Sequence, residues 1–149
     1  MKRIGDFNFR TDVYYDVNEG YWLVITDDIA RIGLTPLVQE TSGSFVAIKM
    51  SNLGTEITKG DSIGSIEAEK HVGHLKAPLS GTITALNEKV LENPRLINTD
   101  SYGKGWLMEI EMTNVDLEKK SLLTGEENII SWLKSEVEKY KEKGWLATP

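Results

Sequence analysis

A seven-residue echo constrains this chain more than any other feature: Ser42-Gly43-Ser44-Phe45-Val46-Ala47-Ile48 returns as Ser80-Gly81-Thr82-Ile83-Thr84-Ala85-Leu86. Each copy leaves a glycine and continues as an alternating β-prone run, so both read as strands leaving tight turns. Between the copies lies a Gly-rich approach, Gly60-Asp61-Ser62-Ile63-Gly64-Ser65, then Ile66-Glu67-Ala68-Glu69-Lys70-His71 and the exit Ala77-Pro78-Leu79-Ser80-Gly81. Ile63, Ser65 and Glu67 alternate with Gly64, Ile66 and Ala68, the pattern of a short strand that ends at a turn. Two related strand sets with a hairpin between them predict a mainly β fold, a flattened pseudo-symmetric β-sandwich. Lys70 falls at the tip of that hairpin, presented to solvent and open to modification. A lysine so placed suits a swinging-arm carrier.

The rest of the composition removes competing classes. The chain has 149 residues, enough for one domain with a real core. A net charge of −6 argues against nucleic acid as the main partner, because an acidic surface repels phosphate. No stretch approaches a membrane span, and Met1-Lys2-Arg3-Ile4-Gly5-Asp6 lacks an apolar signal core, so the expected compartment is the cytoplasm. With no cysteine there is no disulfide, thiolate nucleophile or thiolate metal site. No nucleophile–base pair can be assigned, so the chain reads as a carrier and not as an enzyme.

Around the hairpin, Tyr21 to Thr26 and Ile29 to Thr35 read as two strands joined through Asp27-Asp28. Pro36 to Thr41 predicts a short helix with Thr35 as its cap. Asn87 to Gly105 holds Asn93-Pro94 and Gly103-Lys104-Gly105 and reads mostly as loop, with Trp106 to Met112 as the last strand. Thr124 and Glu127 are spaced as a capping box. Ile129, Ile130, Leu133, Val137 and Tyr140 then recur at helical spacing, predicting a C-terminal amphipathic helix to about Lys143, closed by Gly144. The expected division is a loosely ordered segment over 1–12, a β-sandwich domain over 13–113 and a helical extension over 114–149 packed on the same domain. The last residues, Leu146 to Pro149, are expected to be loosely held.

From about Tyr14 to Met112 the sequence resembles the H-protein of the glycine cleavage system, a relative of lipoyl and biotinyl carrier domains (barrel-sandwich hybrids). The resemblance rests on Arg31-Ile32-Gly33-Leu34-Thr35, Ile66-Glu67-Ala68-Glu69-Lys70 and Ala77-Pro78-Leu79-Ser80-Gly81-Thr82-Ile83. Two further blocks, Glu92-Asn93-Pro94-Arg95-Leu96-Ile97-Asn98 and Tyr102-Gly103-Lys104-Gly105-Trp106-Leu107, separate it from ordinary lipoyl domains, which lack them. The resemblance implies lipoic acid in amide linkage to Lys70, with a lipoate-attaching enzyme reading the hairpin and the Glu67 and Glu69 charges. The dithiolane would bring in the sulfur chemistry that a cysteine-free chain lacks.

Ala47-Ile48-Lys49-Met50 resembles a biotinyl signature, yet Lys49 has neither the Gly-Asp approach nor the Pro-Gly exit and reads as an exposed strand residue. His71 and His74 are too sparse for a metal centre and are expected to line the arm's resting groove, with His74 able to exchange protons with a dithiol. Trp22 and Trp106 read as core and rim aromatics.

Two departures from the family pattern bear on cargo. Where the family carries His-Glu-Trp this chain has Gly20-Tyr21-Trp22, and His74 stands where Asp is frequent. A cationic aminomethyl load wants a carboxylate, whose charge-assisted hydrogen bond is worth roughly 1.5–3 kcal/mol. With Tyr21 at that place and only Glu19 nearby in a shifted register, the reading leans toward a sulfur-carrying lipoate-binding protein of cytoplasmic sulfur oxidation. Its partners would be a heterodisulfide-reductase-like complex and sulfurtransferases. The alternative is the aminomethyl carrier of glycine cleavage, serving glycine decarboxylase, aminomethyltransferase and dihydrolipoamide dehydrogenase. Behind these stand a lipoyl relay and a non-carrier interaction module.

Overall fold

The computed structural model describes residues 1–144, the side chains of 39–41 apart, so the expectation for Leu146 to Pro149 lies outside the described residues. In chain order the strands and helices are β1 (Lys2–Ile4), β2 (Phe7–Phe9), β3 (Tyr14–Asp16), β4 (Tyr21–Thr26), β5 (Ile29–Leu34), α1 (Pro36–Ser42), β6 (Phe45–Met50), β7 (Glu56–Ile57), β8 (Ser62–Ala68), β9 (Val72–Lys76), β10 (Gly81–Leu86), α2 (Glu88–Glu92), α3 (Leu96–Thr99), β11 (Met108–Met112), α4 (Val115–Glu118) and α5 (Glu126–Glu142). A six-stranded sheet, ordered β3-β4-β5-β11-β10-β7, faces a three-stranded sheet, β6-β8-β9. Their inner faces share one core: Phe45, Ile48 and Ile66 from the smaller sheet pack with Leu23, Ile32, Ile83 and Ile110 from the larger. This is the expected mainly β sandwich.

The echo is a structural repeat. β6 and β10 fall one in each sheet, and each slips register at the same place in the motif, between Phe45 and Ala47 and between Ile83 and Ala85. The extra residue in each copy, Val46 or Thr84, is a bulge that bends the strand. Another bulge in β8, between Ser62 and Gly64, explains why its two faces do not alternate strictly. Ile63 and Ile66 are both buried as a result. A Cβ at Gly64 would run into the Lys49 carbonyl, so the close approach of β6 requires glycine there.

A second core lies behind the larger sheet. Ile4 and Phe9 from the β1–β2 hairpin, Tyr15, Trp22, Leu37 and the α5 residues Ile129, Leu133 and Val137 form one buried cluster. Residues 2–9 are therefore a paired, packed hairpin and not part of a loosely ordered segment as expected: strand pairing and the burial of Ile4 and Phe9 in this second core hold it. Asn87 to Gly105 also differs from expectation, because it contains α2 and α3. The Asn87 side chain accepts from the Lys89 N–H and donates to the Lys104 and Trp106 carbonyls, starting α2 where a loop is predicted. At α5 the cap is Gly125 at φ 92°, with no side-chain cap, so Thr124 and Glu127 do not form the predicted box. The last strand begins at Met108, later than Trp106.

Candidate functional site

The site is built on the turn between β8 and β9. Glu69 and Lys70 form its tip, which the Ala68 N–H closes by donating to the His71 carbonyl at 2.7 Å. A hairpin tip is ordinarily held only by its own strands. Here a second chain segment holds it. The Glu69 N–H donates to the Ser44 carbonyl at 3.1 Å and the Lys70 N–H to the Ser42 carbonyl at 3.0 Å. The Ser44 N–H returns a bond to the Glu69 carboxylate at 3.2 Å. Gly43, at φ 80°, lies against the turn: a Cβ there would stand 3.3 Å from the Glu69 Cβ, so the left-handed backbone and the missing side chain let the two segments close. The Ser44 hydroxyl, then its backbone N–H, hold the Glu69 carboxyl below the usual carboxylate range.

Lys70 itself is exposed, its backbone fixed and its side chain directed by no salt bridge among those of the described residues. Beside it opens a groove of about 430 Å³ with Phe45, Ile66 and Leu75 as an apolar lining and Glu19, His71 and His74 as polar ones. The His71 ring lies back over the hairpin, where Gly73 leaves room; a Cβ at Gly73 would meet its Nε2 at 2.6 Å. Val38 and Tyr140 complete the wall, the latter contributed by α5.

The predicted site residues divide accordingly. Lys70, His71 and His74 come together at the groove. Glu67 is exposed on β8, opposite Ala47 and Val72, and Glu69 stays at the tip bound to Ser44. Tyr21 is elsewhere: it is 1% exposed and belongs to the sandwich core. Burial, then the nearby charges of Glu19 and Asp16, push its hydroxyl far above the usual phenol range, so it stays neutral. Glu19, two positions earlier in a turn before β4, is exposed and is the acidic residue in the groove's lining. Asp16 shapes that turn by accepting from the Asn18 and Glu19 N–H groups at 3.0 and 3.2 Å. Sequence alone missed Ser42 and Ser44 as the holders of the turn and Gly73 as the space for His71. Their only signal was glycine and serine in the first echo copy and a glycine after the tip. Lys49 is exposed near the end of β6, within the ladder and opposite Ser65 of β8. Trp22 is fully buried and Trp106 half-buried under the Arg31 guanidinium, 4.3 Å from its ring centre.

A β-sandwich that offers a pinned, solvent-facing lysine at a hairpin tip beside a partly apolar groove is the build of a covalent cofactor carrier. The family model of the glycine cleavage H-protein matches residues 13–136. The chain belongs to that family. It is 39% identical over 109 residues to the glycine cleavage system H protein of Carboxydothermus hydrogenoformans, a span covering 73% of this chain and 83% of that protein. It is 43% identical over 101 residues to the H protein of a Synechococcus species, covering 68% and 77% of the two chains. The crystal structure of the H protein from Mycobacterium marinum superposes with a TM-score of 0.66 at 32% identity, covering 70% of this chain and 87% of that one.

Proteins of this family are non-catalytic carriers with lipoate attached covalently to a lysine. The residues present fit that group: an exposed amine for the amide bond and, within reach, a groove with an apolar lining. Among the described residues no group of three or more His, Asp or Glu side chains is placed to hold a metal ion, and no helix is long and apolar enough to cross a membrane.

Proposed function

We propose that this chain is a cytoplasmic lipoyl carrier of glycine cleavage, with Lys70 as the attachment residue and an aminomethyl unit as cargo. The observation that carries this reading is Glu19 in the groove beside Lys70. Tyr21 weighs toward sulfur only if the groove lacks a carboxylate. With Tyr21 in the core and Glu19 in the groove, an ammonium-bearing load has its counter-charge after all. The relatives named above are H proteins of the glycine cleavage system.

Each residue has a physical task in this reading. Lys70 holds the cofactor in amide linkage. When bound, the cofactor supplies a disulfide that opens to a dithiol and closes again. Phe45, Ile66 and Leu75 exclude water from the resting arm, and Glu19 provides the negative charge. His71 and His74 line the entrance, where imidazole donors and acceptors meet the arm's polar end. Glu67 and Glu69 present the charges that the lipoate-attaching enzyme reads. Glycine decarboxylase, aminomethyltransferase and dihydrolipoamide dehydrogenase follow as partners.

Glycine–bicarbonate exchange with the decarboxylase of the same organism tests the cargo. The lipoylated protein should support exchange at a rate comparable to an ordinary H-protein. Negligible exchange, together with a sulfur-sized mass gain on the reduced arm after incubation with thiosulfate and a sulfurtransferase, would return the assignment to sulfur carriage.

A further inference from the structure

The block Leu96-Ile97-Asn98 sets this chain apart from ordinary lipoyl domains, and nothing in the carrier reading uses it. In the fold it lies in α3, where Ile97 is fully buried in the sandwich core. Asn98, the next residue, turns toward the first echo copy. Its Oδ1 accepts the Phe45 N–H at 3.0 Å, and its Nδ2 donates to the Gly43 carbonyl at 3.1 Å. The two bonds bracket Ser44 and fix the orientation of the amide. Reversing it would set its N–H against the Phe45 N–H and its oxygen against the Gly43 oxygen. Asparagine alone among side chains of this length offers one donor and one acceptor from a planar group, so both contacts depend on its identity.

What the amide holds is the segment that holds the lysine. Ser42 and Ser44, on either side of Gly43, accept the Lys70 and Glu69 N–H groups, and Ser44 also donates to the Glu69 carboxylate. We propose that Asn98 is a positioning residue for lipoyl attachment. It locks the 43–45 backbone into the shape that receives the hairpin tip, so that the attaching enzyme meets Lys70 in one geometry instead of a fluctuating set. This rests on Lys70 being the attachment residue. The physical gain is entropic, since a tip ordered before docking does not have to be ordered during it.

Three apo variants of the full chain test this. In Asn98→Ala both bonds are lost. Asn98→Asp keeps the shape and the acceptor for Phe45 but opposes the Gly43 carbonyl with a second oxygen. Asn87→Ala is the control for a merely structural amide, because Asn87 clamps the Lys104 and Trp106 carbonyls elsewhere in the fold. Two readouts are taken on each folded variant: the KM and kcat of lipoylation, and amide exchange at Lys70 and Glu69 against Ile66 in mid-strand. Both Asn98 variants should raise KM by about tenfold with a smaller change in kcat, and speed exchange at Lys70 and Glu69 while Ile66 stays protected. Asn87→Ala should lower the melting temperature yet leave both readouts near those of the unaltered protein. Unchanged exchange at the tip in both Asn98 variants would overturn the proposal, as would equal effects from Asn87→Ala. Failure of the unaltered protein to accept lipoate would instead sink the carrier reading, with the exchange data still deciding the clamp.

Discussion

Lys70 and Lys49 are both exposed lysines on the smaller sheet, and they differ in the backbone beneath them. Lys49 sits within the β6 ladder opposite Ser65, whereas Lys70 rides a tip pinned by Ser42 and Ser44. Intact mass from a lipoylating host should therefore show one adduct, lost in Lys70→Ala and kept in Lys49→Ala; an adduct remaining in Lys70→Ala would place the site elsewhere. Glu69 gives a pH signature at the same spot. Its folded pKa lies below the ordinary glutamate value, so the Ser44 interaction stabilises the fold fully above that ordinary value and is lost as pH falls through the lower, folded one. Melting curves of the unaltered protein and Glu69→Gln should differ at neutral pH and converge only once the pH has fallen through the lowered pKa of Glu69, a separation that tracks the carboxylate. Glu19→Gln should leave lipoylation intact and shorten the lifetime of an aminomethyl load. An unchanged lifetime would remove Glu19 as the counter-charge.

Among the elements, α5 behaves as its spacing predicts. Ile129, Leu133 and Val137 are the buried residues of a helix running Glu126–Glu142. Leu133→Ala should cost about 2–5 kcal/mol in denaturant unfolding, the range for emptying a fully buried leucine site. A cost under about 1 kcal/mol would mean that the second core collapses around the gap. The β4–β5 hairpin and α1 were equally readable, since an Asp-Asp turn between apolar runs and a proline at a helix start act locally. The helices α2 and α3 were not. With five and four residues they are too short for a periodic signal, and the Asn87 amide that starts α2 is stabilised by carbonyls of Lys104 and Trp106, distant in sequence. The misread cap of α5 has a related cause. A capping box is a local pattern, and the positive φ of Gly125 takes the chain into the helix by another route.

For the molecule as a whole, the consequential feature is the second core behind the larger sheet. It joins the N-terminal hairpin to the C-terminal helix: Gly5 lies against Val137, where a Cβ would stand 3.3 Å from the valine Cγ1. Each element covers apolar surface that the other needs covered. Ending the chain before Thr124 should therefore lower the melting temperature and also speed amide exchange across β1 and β2. Lipoylation should continue while the sandwich stays folded, because the bonds that hold the turn from Ala68 to Lys70 come from residues 42, 44 and 71. Exchange in β1 and β2 that ignores the truncation would show that the hairpin is held by Tyr15, Trp22 and Leu37 alone.

By itself the sequence determined the sandwich, the hairpin with Lys70 at its tip and the helical face of α5. Alternation, glycine and proline punctuation and helical spacing act over a few residues, and the echo marked the same bulge in both sheets. Only the tertiary structure decided which side chains share a groove. The Asp16 turn and the burial of Tyr21 leave Glu19 in the lining of the groove that Lys70 also lines, although Tyr21 occupies the place where the family pattern has a carboxylate. That outcome depends on contacts between segments far apart in the chain, and no local pattern encodes which of two neighbouring positions points inward once the strands have twisted and packed.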